Sequence, residues 1–251
     1  MISMPFAAAL AASVLSTSFI SGLFGMAGGM ILISLLLAFM PVAPAMALHG
    51  ITQIASNAAR AFLWRSGIAW PIVGRYVVGA LAAALVIALG LAAPSKPVAL
   101  LFLGSATLIG LALPAGLTPD VMDNRQAVGC GALCTGLQLV CGISGPMLDL
   151  FFVRSELGRR EIIATKAAIQ TIGHGIKLAY FGQQLLANGE AISPLAVLLA
   201  IGAAVLGTQL SRSLLELISD AHFQAWTRWL IAAVAAVSLV QGLFLQFGGA
   251  E

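Results

Sequence analysis

The chain has 251 residues, of which 60% are hydrophobic and 8% are charged, and its mean hydropathy is +1.03. Because soluble domains carry roughly a quarter charged residues, this composition excludes a water-soluble globule and predicts a membrane protein. The formal charge is +3 and no run of five or more like charges occurs, so a nucleic-acid-binding arm is excluded as well.

Apolar segments of membrane-crossing or half-membrane length follow one another along the chain, separated by Gly, Pro and charged residues. All are predicted to be helices, because open strands leave backbone groups unsatisfied in lipid and no segment alternates as a barrel strand does. The first segment lacks a basic n-region and is predicted to stay attached as a helix. The ten predicted segments are 5–22, 28–40, 43–65, 71–93, 97–115, 126–141, 145–155, 160–182, 192–215 and 222–247.

Two of these segments are short, and each follows a glycine-rich break. A helix that begins inside the membrane leaves its first N–H groups without intrahelical partners and points the positive end of its dipole into the protein, which favours an anion. Close helix packing by small residues is the alternative explanation, but two breaks at matching positions favour a binding site. The predicted contacts at the breaks are Gly25, Ala27, Gly28 and Gly29, and then Gly142, Ser144, Gly145 and Pro146.

Two segments each carry a column of polar and basic residues spaced by four, four and three positions. This spacing places the column within about 80° of arc on one helix face. Ionisable groups in a membrane helix are costly, so they normally face the protein interior and mark function. Arg60 and Lys177 lie nearer the helix ends and are assigned to the pathway, with snorkelling to the headgroups as the alternative. The two stripes are His49, Gln53, Asn57 and Arg60, and Lys166, Gln170, His174 and Lys177.

The polar stretch at 117–126 predicts a loop that joins two five-segment halves. At an offset of 117, residues 25–64 align with 142–181 without a gap, and this alignment superimposes both breaks and both stripes. An odd number of crossings in each half inverts the second half relative to the first, as in many secondary transporters. We therefore predict a first repeat at 1–117, a cytoplasmic linker at 118–126 and a second repeat at 127–251.

Arginine placement predicts the orientation in the membrane. If all ten segments cross, one face receives seven arginines and the other receives Lys96. By the positive-inside rule the first face is cytoplasmic, and both termini lie outside. Re-entrant short segments are the alternative. The seven arginines are Arg65, Arg75, Arg125, Arg154, Arg159, Arg160 and Arg212.

The remaining reactive residues predict neither a metal site nor a cofactor. Asp149 lies well inside a predicted segment and is assigned to the pathway, where it either pairs with Lys166 or His174 or carries a coupling proton. The three cysteines have no Cys/His ligand spacing around them and are predicted to pack structurally. They are Cys130, Cys134 and Cys141.

The motifs resemble those of the TauE/SafE family of sulfite exporters, also called the toluene-sulfonate uptake permease group, over nearly the whole chain. The resemblance implies a prokaryotic cytoplasmic-membrane carrier of small sulfur-containing anions such as sulfite, sulfonates or sulfoacetate. The glycine signature is looser here, at Met26-Ala27 and Val140-Cys141, and the family does not demand His49 or His174. The stretches that carry the resemblance are 22–29, Ala45, Ala47, Ser56, Gly136, 142–146, 164–166 and 202–207.

The predicted function is a multi-pass carrier in which the helix N-termini at both breaks hold one small inorganic or organosulfur anion, with alternating access between inverted repeats. The second break is expected to make more substrate contacts, because Ser144, Pro146, Lys166 and His174 give it more donors and charge. One alternative is a carrier of another small anion or of a metal cation, although a cation would require carboxylates. A less favoured alternative is an intramembrane enzyme with His49 or His174 as acid or base, which lacks a recognisable ligand set or dyad.

Overall fold

A computed structural model of the chain describes residues 4–24, 27–90, 96–114, 117–215 and 220–247. These residues form ten α-helices and no strand, which confirms the predicted all-helical fold. A short 3₁₀ helix, Arg65–Gly67, follows the third α-helix. The helices are α1 (Met4–Phe24), α2 (Ala27–Phe39), α3 (Val42–Leu63), α4 (Trp70–Ala88), α5 (Lys96–Ala112), α6 (Asn124–Val140), α7 (Gly145–Phe152), α8 (Arg159–Ala187), α9 (Pro194–Leu215) and α10 (Asp220–Phe247).

Four helices among the described residues are long and apolar enough to cross a membrane. They lie within α1, α4, α9 and α10, and shorter apolar stretches occur in α2 and α5. A chain of this kind is a polytopic membrane protein. The helices with polar stripes, α3 and α8, are not among the four. That all ten segments cross the membrane stays a prediction.

Helix ends differ from the hydropathy boundaries where a glycine adopts a left-handed conformation. α4 ends at Ala88 and Gly90 has φ 68°, while the residues predicted to extend this helix, 91–93, lie outside the described part. α8 continues past the predicted end at 182 to Ala187, and Gly189 with φ 65° follows it. Glycine is the residue that adopts this conformation without a steric penalty, which is why it ends helices.

The predicted linker is held by hydrogen bonds at both of its ends. The Asp123 carboxylate accepts the backbone N–H groups of Arg125 and Gln126 at 3.0 and 2.9 Å, so α6 begins two residues before its predicted start. At the other end of the loop, the Arg154 guanidinium donates to the carbonyl oxygen of Thr118 at 3.1 Å.

The chain forms two compact units, each assembled from two stretches. The first unit comprises Met1–Ile68 and Arg159–Phe223, and the second comprises Ala69–Gly158 and Gln224–Glu251. Each unit therefore combines helices from both predicted repeats. A repeat in sequence and a unit of packing are separate divisions of a chain, and the repeats 1–117 and 127–251 stay a prediction.

In the first unit, α1 packs along α9 and α3 packs along α8, while α2 contacts both α1 and α3. The α1–α9 contact is close, because a Cβ at Gly207 would overlap the Leu15 carbonyl oxygen and one at Gly22 would overlap the Ser211 hydroxyl. Small residues are a common means of helix association in membranes. One apolar cluster of this unit contains Leu10, Val14, Leu32, Leu36, Ala45, Leu48, Ala196, Ala200 and Ala204.

In the second unit, α4 packs along α6 through glycines on both helices. A Cβ at Gly79 would overlap the Val128 carbonyl oxygen, and a Cβ at Gly131 would overlap that of Tyr76. α7 contacts α5 and α6, and Gly104 of α5 lies against α10. Each unit therefore contains a pair of long helices that glycine brings close together against a neighbouring backbone.

Candidate anion site

The first break places the N-terminus of α2 against α1. The backbone N–H of Gly29 donates to the Ser21 hydroxyl at 3.0 Å. A Cβ at Gly28 would overlap the Thr17 carbonyl oxygen, so glycine is needed there for the close approach of α1. The predicted contact Gly25 lies outside the described residues. Ser21 was not predicted, since a single hydroxyl eight positions before Gly29 belongs to no pattern in the sequence.

His49 connects this helix start to a buried lysine. Its Nε2 lies 2.8 Å from the Gly29 carbonyl oxygen, and its Nδ1 lies 2.8 Å from Nζ of Lys177. A carbonyl oxygen can only accept, so Nε2 carries the hydrogen, Nδ1 is the acceptor and Lys177 donates. Lys177 is 0% exposed, although the sequence assigned it to the pathway. The ammonium group is thereby linked through an imidazole to the first turn of α2.

Two amide side chains of α3 lie beside these hydrogen bonds between Lys177, His49 and Gly29. A Cβ at Gly29 would be 3.0 Å from Oε1 and 3.3 Å from Nε2 of Gln53, so the Gln53 amide stands against the first turn of α2. Gln53 is 5% exposed, and its Nε2 has no hydrogen-bond partner among the described residues. One turn further on, the 1% exposed Asn57 donates from Nδ2 to the Gln53 carbonyl oxygen at 2.9 Å, while its Oδ1 accepts from no group in the described part of the chain.

The second stripe runs past the first on α8. The His174 ring is buried, with its centroid 5.3 Å from that of His49 and an interplanar angle of 71°. A Cβ at Gly50 would be 3.5 Å from the His174 carbonyl oxygen, and the 3₁₀ helix after α3 contacts α8. α3 and α8 are therefore antiparallel, which brings Gln170 near the level of Asn57. Gln170 and Lys166 are both half-buried.

The C-terminal end of α3 is rich in arginine. Arg60 is buried at 6% exposure, and the side chain of Trp64 follows one turn later. The guanidinium groups of Arg160 and Arg212 lie 5.1 and 5.6 Å from the Trp64 ring centroid. Such distances give cation–π attraction. The sequence predicted these arginines for the cytoplasmic face, but not that one tryptophan orders two of them.

The second break belongs to the second unit. Gly142 has φ 79°, a conformation that favours glycine, and the fully buried α7 begins at Gly145 with Pro146 in its first turn. Ser144 precedes the helix, but its hydroxyl donates to Oε1 of Gln138 at 3.1 Å and makes no cap hydrogen bond. Asp149 lies in α7 at 2% exposure. Its pairing with Lys166 or His174 stays a prediction.

The cysteines are buried in the second unit, and none of the three forms a disulfide. Sγ of Cys130 and Sγ of Cys134 are 3.8 Å apart, and the Cys141 thiol donates to the Leu137 carbonyl oxygen at 3.0 Å. Over the described ranges, no group of three or more His, Cys, Asp or Glu residues is arranged to hold a metal ion. These positions fit a packing role for the cysteines.

Comparison with known families decides the broad class. The family model described as Sulfite exporter TauE/SafE matches residues 9–239. The chain belongs to the TauE/SafE family. Its class is accordingly that of a sulfite-exporter-type membrane transporter. No curated protein and no solved structure matches the chain.

Within this TauE/SafE chain, the first unit brings together most of the predicted site. Gly28 and Gly29 lie on α2, and the two polar stripes lie on α3 and α8. α3 packs against both α2 and α8. The predicted contacts of the second break are gathered around the start of α7 in the second unit. That both breaks serve one anion stays a prediction.

Proposed function

We propose that the protein carries small sulfur-containing anions, sulfite or organosulfonates, and that the anion binds at the N-terminus of α2 beside Gln53. The observation that carries this proposal is the Nε2 of Gln53, a buried donor against the Gly29 backbone for which the described residues supply no acceptor. A buried donor left unsatisfied costs about 1–3 kcal/mol. An oxyanion oxygen supplies the missing acceptor and benefits from the positive end of the helix dipole.

The surrounding bases supply the charge that an anion requires. Lys177 donates to His49, and His49 donates to the Gly29 carbonyl oxygen, so the ammonium group is fixed close to the start of α2. His174 lies against His49. The Ser21 hydroxyl, which accepts from the Gly29 N–H, keeps its own O–H for a second acceptor. The proposed site therefore offers the anion neutral hydrogen-bond donors, and Lys177 lies behind these donors as seen from the anion.

The proposed setting is the cytoplasmic membrane of a prokaryote, with both termini outside and the arginine-rich end of α3 inside. Export of an anion from an inside-negative cell is downhill by about 2.3 kcal/mol per charge per 100 mV. Arginines ordered on Trp64 would concentrate anions at the inner mouth. Inverted repeats would provide alternating access, with the second break as the symmetric counterpart of the first.

A flux assay tests this function. The purified protein is reconstituted into proteoliposomes, and the uptake of sulfite, thiosulfate, methanesulfonate and Mn²⁺ is compared with that of protein-free vesicles. We expect uptake of one or more of the sulfur anions and none of the metal. Uptake of Mn²⁺ without any sulfur anion would favour the cation carrier, and turnover of an added anion into another species would favour the enzyme.

A further inference from the structure

We propose that the substrate carries a hydrogen-bond donor of its own, an O–H or N–H group, beside its anionic oxygens, and that Oδ1 of Asn57 accepts it. The inference rests on the proposed function and specifies which anions the site prefers. The inference is based on a hydrogen-bond acceptor, Oδ1 of Asn57, whereas the proposed anion binding is based on a donor, Nε2 of Gln53. The two proposals can therefore fail independently.

Asn57 is oriented by its own helix. Nδ2 donates to the Gln53 carbonyl oxygen at 2.9 Å, and because that oxygen can only accept, the nitrogen and oxygen of the amide are assigned by chemistry. Oδ1 is the other terminal atom of the same group, and no residue that the structure describes donates to it, although Asn57 is 1% exposed. A donor from outside α3 is therefore needed to satisfy it.

The position of this acceptor links it to the anion site. Asn57 lies one helical turn from Gln53, on the same face of α3, and Gln53 stands against the start of α2. A bare oxyanion next to a carbonyl oxygen is repelled, since both present lone pairs. A hydrogen between them converts the repulsion into a hydrogen bond. The Gln53 donor and the Asn57 acceptor, one turn apart on α3, thus fit a ligand that has both anionic oxygens and a hydrogen that it can donate.

Two sources could supply that hydrogen. It could be bound to the oxyanion itself, as in hydrogensulfite, or it could belong to a substituent, as in a hydroxyalkyl or aminoalkyl sulfonate. Both satisfy Oδ1 in the same way, and a site built to bond a substrate O–H or N–H discriminates strongly against an analogue without it. Comparisons of substrates with and without this donor group separate the two sources.

The first arm compares 2-hydroxyethanesulfonate with propane-1-sulfonate, in which a methyl group replaces the hydroxyl. Uptake into proteoliposomes is measured at equal concentrations, together with competition against labelled sulfite. We expect the hydroxyl compound to be preferred about tenfold or more, as one buried hydrogen bond implies. In Asn57→Leu this ratio should fall to about 1, mainly through loss of uptake of the hydroxyl compound.

The second arm follows sulfite uptake as the pH is raised at constant total sulfite, normalised to methanesulfonate, which does not titrate in this range. Uptake in proportion to the hydrogensulfite fraction places the hydrogen on the oxyanion. If neither arm shows a preference in the wild-type protein, the inference is overturned, and this comparison does not depend on the folding of any variant. Absence of uptake of every sulfur anion would instead overturn the proposed function.

Discussion

The two helix starts share a sequence pattern but differ in how their backbone and neighbouring groups are bonded. At α2, the Gly29 N–H is bonded by a hydroxyl from α1, and its carbonyl is bonded by His49 of α3. At α7, the preceding Ser144 bonds the Gln138 side chain, and an acid follows within the helix. The two glycine breaks thus differ in the groups packed around them, and these groups are the reason for proposing an anion site at α2.

The sequence favoured the second break as the richer set of substrate contacts, and this stays a prediction. The contacts within the first unit favour α2, because His49, Gln53, His174 and Lys177 are all gathered by the packing of α3 with α2 and α8. Variants at the two helix starts test which of them makes the main substrate contacts.

Loss of Lys177 should have the largest effect. In Lys177→Met the Nδ1 of His49 loses its donor, and a buried hydrogen bond from a charged group contributes about 1.5–3 kcal/mol. We expect sulfite uptake to fall on the order of 100-fold at equal amounts of folded protein. Lys96→Met, at the start of α5, is the matched control. Equal uptake in the two variants would mean that the hydrogen bond from Lys177 to His49 is not required for transport.

A methyl group at the first break should destabilise the protein. In Gly28→Ala the added Cβ would overlap the Thr17 carbonyl oxygen, so α1 and α2 must separate. We expect a loss of about 1–3 kcal/mol in the free energy of unfolding, as for other overpacked contacts. Gly182→Ala is the control, because no atom of a neighbouring described element lies within 4 Å of its Cβ position. Thermal unfolding in detergent compares them, and an unchanged midpoint for Gly28→Ala would contradict the close contact.

The two serines compare the helix starts directly. Ser21→Ala leaves the buried Gly29 N–H without its acceptor, whereas Ser144→Ala removes a bond between two side chains. We expect sulfite uptake to fall about tenfold for Ser21→Ala and only about twofold for Ser144→Ala, in line with the cost of an unsatisfied backbone group. The reverse order would identify the second break as the main contact.

More of the fold than of the site could be predicted from the sequence. Hydropathy located the helices, and spacing placed His49, Gln53 and Asn57 on one face, because both depend on local periodicity. Which helices pack together could not be predicted, since that depends on the complementarity of surfaces distant in sequence. The partnership of Ser21 with Gly29 and of Lys177 with His49 follows from that packing and had no local signal.

The most direct test of the account is sulfite uptake by Gln53→Leu against Gln183→Leu at matched protein incorporation. Both variants replace the same amide by an apolar side chain of similar size, but Gln53 is buried against Gly29 and Gln183 is exposed on α8. An anion site beside Gln53 predicts a fall of about tenfold or more for Gln53→Leu and wild-type uptake for Gln183→Leu. Equal uptake by the two variants would contradict an anion site beside the N-terminus of α2.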